Sequence, residues 1–177
     1  MNSSARTNNI FLIGPMGSGK TAVGRQLARL LRLEFFDSDA EIEHRTGVDI
    51  PYIFEKEGEA GFREREREVI DALTQLSGVV IATGGGAILL PENREHLGSR
   101  GRVVYLHTGI EQQLERTRHG RQRPLLYTDD PEAKLRELMN FRLPLYESLA
   151  QITVTTDGRQ VRAVADEIIQ RLKEMPN

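Results

Sequence analysis

The stretch that decides the fold is "GPMGSGKT", Gly14 to Thr21, which lies between an apolar run and a segment with helical spacing. It parses in two ways. Gly14-x-x-x-x-Gly19-Lys20-Thr21 has the spacing of a loop that cradles the phosphates of a nucleoside triphosphate, whereas Gly17-x-Gly19-x-x-Ala22 has the Gly/Ala form of a dinucleotide-binding fingerprint. Under the first reading every residue has a task. Glycines admit φ > 0 and let backbone N–H groups converge on phosphate oxygens. A helix opening at Lys20 turns the positive end of its dipole to the same point. Gly17, Ser18, Gly19, Lys20, Thr21 and Ala22 then form the nucleotide cradle, with the Lys20 charge near the β- and γ-phosphates and the Thr21 hydroxyl able to ligate Mg²⁺. The chain has four lysines against twenty arginines, so a lysine at this position is not compositional noise. The dinucleotide reading gains from an acidic residue about 20 positions on, Asp37 or Asp39, but leaves Gly14, Lys20 and Thr21 idle. A plain strand-to-helix glycine turn explains less still.

Outward from the loop, short apolar runs recur at residues 9–13 (NIFLI), 33–36 (LEFF), 79–82 (VVIA), 103–106 (VVYL) and 152–155 (ITVT). Runs of this length and continuity suit strands buried on both faces of a parallel sheet. Between them, Val23, Leu27, Leu30 and Leu31 form one helical stripe, and residues 62–73 and 161–172 also read as amphipathic helices. The expectation is an α/β three-layer sandwich with a five-stranded, mostly parallel sheet, and a single domain over 1–177. Ligands of such sheets bind at the carboxyl ends of the strands.

Composition narrows the function classes. A net charge of −2 gives no reason to expect nucleic acid or a membrane surface as partner. No cysteine is present, which excludes disulfides, thiolate catalysis and cysteine-based zinc sites. His44, His96, His107 and His119 show no ligand spacing and read as surface or structural residues. The polar amino-terminal tail, followed by an apolar run too short for a signal or a membrane span, points to a cytoplasmic protein.

The chemistry should then follow the apolar runs. After the second, "DSD" offers Asp37 and Asp39, which as strand residues two apart would share a face. One would orient Mg²⁺ and the other would accept a hydrogen bond from an attacking hydroxyl, unless the pair simply ends a strand or caps a helix. After the third run, Thr83 and Gly84-Gly85-Gly86 stand where many triphosphatases carry a metal-binding aspartate, so the metal must lean on Thr21 and Asp37. The glycine run is either a close backbone approach to a compact polar substrate or a flexible turn. After the fourth, Arg116, Arg118, Arg121 and Arg123 fall within eight residues around a glycine, which suits a lid closing over phosphates and, less well, RNA contact. Arg63, at a helix entrance beside Phe62, and Arg142, in "NFRLPLY", can each be read as surface residues or as anion clamps. The remainder of "REREREVI" reads as a solvated face held by i,i+4 pairs.

The ordered set "DSD", "EGEAGFR", "TGGG", "RPLL" and "R-x-PLY" behind the glycine loop resembles the shikimate kinase family over nearly the whole chain. The resemblance implies a P-loop kinase fold with a substrate-binding helical region at about 38–66 and a lid at about 115–130. It implies transfer of the ATP γ-phosphoryl group to the 3-hydroxyl of shikimate, with ATP and Mg²⁺ as cofactors, in a monomeric enzyme of chorismate and aromatic amino-acid synthesis. By matching position, Asp39 would contact the attacking hydroxyl, with Lys20 and Arg123 on the phosphates. Arg63 and Arg142 would clamp the substrate carboxylate, and Gly84, Gly85 and Gly86 would hold ring hydroxyls. Arg116 and Arg159 would lie on the adenine side, and Thr21 and Asp37 would serve Mg²⁺. The competing expectations are another small-metabolite kinase of this fold, such as a gluconate kinase, and a non-catalytic nucleotide-binding module.

Overall fold

The computed structural model describes residues 8–118 and 123–176. The amino-terminal tail up to residue 7, together with His119 and Arg121, lies outside the described residues. Five strands, β1 (Ile10–Ile13), β2 (Glu34–Asp37), β3 (Val79–Ala82), β4 (Arg102–His107) and β5 (Ile152–Thr155), form one sheet in the order β2-β3-β1-β4-β5. Every ladder is parallel. All five carboxyl ends therefore emerge on one edge, and β1, with β3 on one side and β4 on the other, delivers its loop to the middle of that edge.

Strand alternation splits the core into two layers. Ile10 and Leu12 of β1 join Val80, Val104 and Val154 on one face, under α1 (Lys20–Leu31) and α7 (Val161–Glu174). Phe11 and Ile13 join Ile81, Val103 and Tyr105 on the other, under α3 (Ile50–Thr74), α4 (Pro91–Arg100) and α6 (Pro131–Leu149). The remaining helices are α2 (Ser38–Thr46) and α5 (Ile110–Thr117). Burial on both faces holds for β1 and β3 but not for the edge strands: β2 begins on an exposed Glu34, and β5 alternates buried and exposed residues. An edge strand has a neighbour on one side only, so its second face meets solvent or a single helix.

Two helices depart from simple sequence patterns. Gly58 interrupts α3 with φ 71° and ψ −177°, a conformation open essentially to glycine alone. The kink redirects the charged surface: Arg65 pairs with Glu57 eight residues back, at 2.6 Å, and Arg67 with Glu64, in place of the expected i,i+4 ladder. In α6, Pro144 sits inside the helix between Arg142 and Tyr146. Proline usually breaks a helix interior. Here burial of Leu135, Arg142 and Tyr146 on one side holds the helix through it.

Candidate functional site

The loop after β1 is built around its backbone. Gly19 takes the left-handed conformation (φ 89°) and caps α1, which opens at Lys20 as the sequence implies. The loop is strapped from two sides. Thr156, just past β5, donates its hydroxyl to the Ser18 carbonyl at 3.0 Å, and Arg116 of α5 donates to the Gly17 carbonyl at 2.9 Å. Lys20 is buried and folds over the loop, donating from Nζ to the carbonyls of Gly14 (2.7 Å) and Pro15 (2.8 Å). Burial, then the Arg123 guanidinium, lowers its ammonium group to about 7, with Asp39 and Asp37 acting in the opposite sense.

Asp37 and Asp39 converge on this loop, but not for the reason expected. The strand ends at Asp37, and Asp39 lies in the first turn of α2, so the two do not share a strand face. Asp37 is indeed a helix cap, accepting from the Ala40 amide at 3.0 Å. With its other oxygen it accepts the Thr21 hydroxyl at 2.7 Å, so cap and candidate metal ligand are one residue. Asp39 Oδ1 is buried with no hydrogen-bond partner among the described residues. Burial, then the Glu66 and Asp37 carboxylates, pushes its carboxyl up to about 7 against the pull of Arg123 and Lys20.

The glycine run explains itself by what stands where side chains would be. A Cβ on Gly84 would come within 2.7 Å of Asp39 Oδ1 and 2.8 Å of Glu66 Oε2. On Gly85 it would meet Arg142 Nη1 at 3.3 Å and the Met16 amide at 3.4 Å, and on Gly86 it would overlap the Arg63 guanidinium. Three charged groups thus approach the main chain more closely than any side chain allows. The run is also anchored: the Gly84 amide donates to Ser38 Oγ at 3.0 Å, and the Tyr146 hydroxyl donates to the Gly85 carbonyl. A flexible turn it is not.

Both undecided arginines are buried, Arg63 at 9% and Arg142 at 3% exposure, so neither is a surface residue. Together with Asp39, the glycines and Arg123 they line a pocket that also receives Met16 and the apolar side chains Ile50, Phe54, Phe62, Pro124 and Leu125. Its polar end suits a carboxylate and hydroxyls, and its apolar wall suits the face of a ring. Sequence reasoning missed Glu66. It was folded into the solvated face of "REREREVI", yet it is fully buried and binds Arg63 Nη1 at 2.8 Å. Glu66 lies three residues after Arg63 on the same helix, and that spacing was the available signal. Arg159 lies four residues past the end of β5. Its guanidinium pairs with Glu167 of α7 at 2.6 Å and with the Thr155 carbonyl. Arg118 is exposed near Glu115. Among the described residues no cluster of three or more His, Asp or Glu side chains is placed to hold a metal unaided.

A phosphate-cradling loop on the central strand of a parallel α/β sheet, facing a pocket with a carboxylate and two buried guanidinium groups, defines a P-loop kinase of a small metabolite. The family model described as shikimate kinase matches residues 16–173. The shikimate kinase of Halorhodospira halophila is 58% identical over 170 residues, covering 96% of each chain. That of Pseudomonas syringae pv. tomato is 56% identical over 168 residues, covering 95% of this chain and 98% of its own. The solved shikimate kinase of Acinetobacter baumannii, in complex with shikimate, superposes with a TM-score of 0.93 at 53% identity, covering 95% of this chain and 94% of its own. The chain belongs to the shikimate kinase family. Its activity is the ATP-dependent phosphorylation of shikimate.

Proposed function

We propose how the side chains at the carboxyl edge of the sheet divide this transfer. Shikimate occupies the pocket with its carboxylate between Arg63 and Arg142, whose planar guanidinium forks match a carboxylate in bidentate fashion. Asp39, in the pocket wall, accepts the hydrogen bond of the 3-hydroxyl and turns its oxygen toward the phosphate loop. ATP lies along that loop. The phosphates raise Lys20 back to its charged form, and Lys20 with Arg123 then neutralises charge on the transferring group. Arg116, already against Gly17, extends toward the adenine side; Arg159 would have to leave Glu167 to join it. Catalysis here is positioning and charge neutralisation, with little covalent work for the protein.

Mg²⁺ fits the donor set. Thr21 Oγ1 and Asp37 Oδ2 are hard oxygen donors already side by side, and Mg²⁺ is ordinarily held by one or two protein oxygens together with substrate phosphates. When bound it would neutralise phosphate charge, held by Thr21 and Asp37. The substrate-side helical region at about 38–66, the lid at about 115–130, and a monomeric, cytoplasmic enzyme of one domain complete the proposal. Residues 119–122 of that lid lie outside the described residues. Among the described residues no helix is long and apolar enough to cross a membrane.

The observation that carries this reading is the convergence of Asp39, Arg63 and Arg142 on three consecutive glycines beside the phosphate loop. The test is ADP release coupled to a reporter, with and without shikimate, for the wild type, Asp39→Asn and Arg63→Ala. Shikimate-dependent turnover should fall roughly 10²-fold or more in Asp39→Asn, and Arg63→Ala should chiefly raise the KM for shikimate. Near-wild-type turnover of a folded Asp39→Asn, or a rise confined to the KM for ATP in Arg63→Ala, would refute the assigned roles.

A further inference from the structure

Tyr146 is fully buried, stacks on Tyr105 of β4 (ring centroids 5.0 Å apart, planes 15° apart) and does not line the pocket. As a core residue its ring needs no further explanation. Its hydroxyl does. It donates to the Gly85 carbonyl at 2.5 Å, and Arg142, one helical turn earlier on α6, brings Nη1 against the same glycine. The peptide that carries the Gly85 carbonyl also carries the Gly86 amide. That peptide is trans and planar, so its C=O and N–H point in opposite directions. A donor holding the carbonyl from the core side therefore aims the Gly86 N–H away from the core. There it joins the face lined by Arg63, whose guanidinium lies against Gly86. The amides of Gly85 and Gly86 donate to no group among the described residues, so they are available to a ligand.

We propose that Tyr146 is a positioning residue for shikimate: its hydroxyl aims the Gly86 amide into the pocket, beside Arg142. The inference rests on the reading that Arg142 and the glycine run receive shikimate. One buried hydroxyl on α6 thereby orients a donor on the β3 loop. Without it, the 85–86 peptide has no hydrogen bond among the described residues to fix its orientation, and the substrate would have to select the productive one itself.

The test is Tyr146→Phe, which keeps the ring and its stack and removes only the hydroxyl. The KM for shikimate should rise about 5- to 20-fold, with the KM for ATP within about twofold and kcat within about threefold of wild type. A merely structural role would lower the melting temperature and the active fraction while leaving the KM for shikimate in place. Tyr105→Phe, which removes the neighbouring hydroxyl bonded to His107, should leave the KM for shikimate unchanged. Arg142→Ala separates the two layers of the argument. If it leaves the KM for shikimate unchanged, the clamp reading fails and this inference falls with it. If Arg142→Ala raises that KM and folded Tyr146→Phe does not, Tyr146 alone has been misassigned. Should Tyr146→Phe fail to fold, glycine-labelled wild type decides by NMR. Shikimate must shift the Gly86 amide and protect it from exchange; an amide that does not respond overturns the proposal.

Discussion

Asp39→Asn should cost activity and increase stability, and the size of the gain follows from the site. In the ligand-free protein the Asp39 carboxyl is raised from its ordinary 3.8 to about 7, first by burial and then by Glu66 and Asp37. A carboxyl group whose folded-state value is raised contributes stability that is fully present below its unfolded value. That stability is lost as the pH climbs toward the folded value. From pH 5 to about pH 7 the loss is about 1.4 kcal/mol per pH unit, or about 2.7 kcal/mol by pH 8. Asparagine does not titrate, so the stability of the variant relative to wild type should grow over this interval. Removing the carboxylate also removes a group that favours charged Lys20, so the Lys20 value falls further and the variant gains from that group too as the pH rises. The expected growth is about 3 kcal/mol or more. Urea denaturation of both proteins without ligands, at pH 5 and pH 8, measures it directly. A variant that gains nothing on wild type between the two pH values would show that Asp39 is not a strained carboxylate. The unpaired Oδ1 would then need another explanation.

Three further outcomes test the neighbouring contacts. Gly84→Ala has no room for its methyl group between Asp39 Oδ1 at 2.7 Å and Glu66 Oε2 at 2.8 Å. Displacing Asp39 should lower kcat/KM on the order of 10²-fold in steady-state kinetics. Glu66→Gln weakens the 2.8 Å bond that holds Arg63 and removes a charge that raises Asp39. The KM for shikimate should rise on the order of tenfold, and the acid limb of the kcat/KM profile should move to lower pH. Thr156→Val frees the Ser18 carbonyl from its 3.0 Å bond. That variant should raise the KM for ATP several-fold in the same assay while leaving the KM for shikimate unchanged.

Much of this enzyme can be read along the chain because its determinants are local. The loop from Gly14 to Thr21 needs only a strand before it, a helix after it and glycines between, and all three are marked within about twenty residues. The strands β1 and β3 announce themselves as continuous apolar runs, since burial on both faces leaves no polar position to interrupt them. Parallel order followed from the alternation of strands with helices. The donor, its lysine and the acidic pair after β2 were legible for the same reason.

What the tertiary structure decided is which charges are buried together. Glu66 and Arg65 are neighbours in one charged run, yet a helix turn sends Arg65 to a surface pair with Glu57 and Glu66 into the pocket wall against Arg63. Local composition cannot distinguish them, because the difference lies in what α3 packs against. The kink at Gly58 and the helix running through Pro144 likewise depend on distant partners. So does the role of the glycine run, which is set by Asp39, Glu66, Arg142 and Arg63 arriving from three separate helices. The sequence determined the fold and the phosphate donor's site through short-range pattern. Only the folded chain, by closing helices far apart in sequence over one sheet edge, decided the acceptor's.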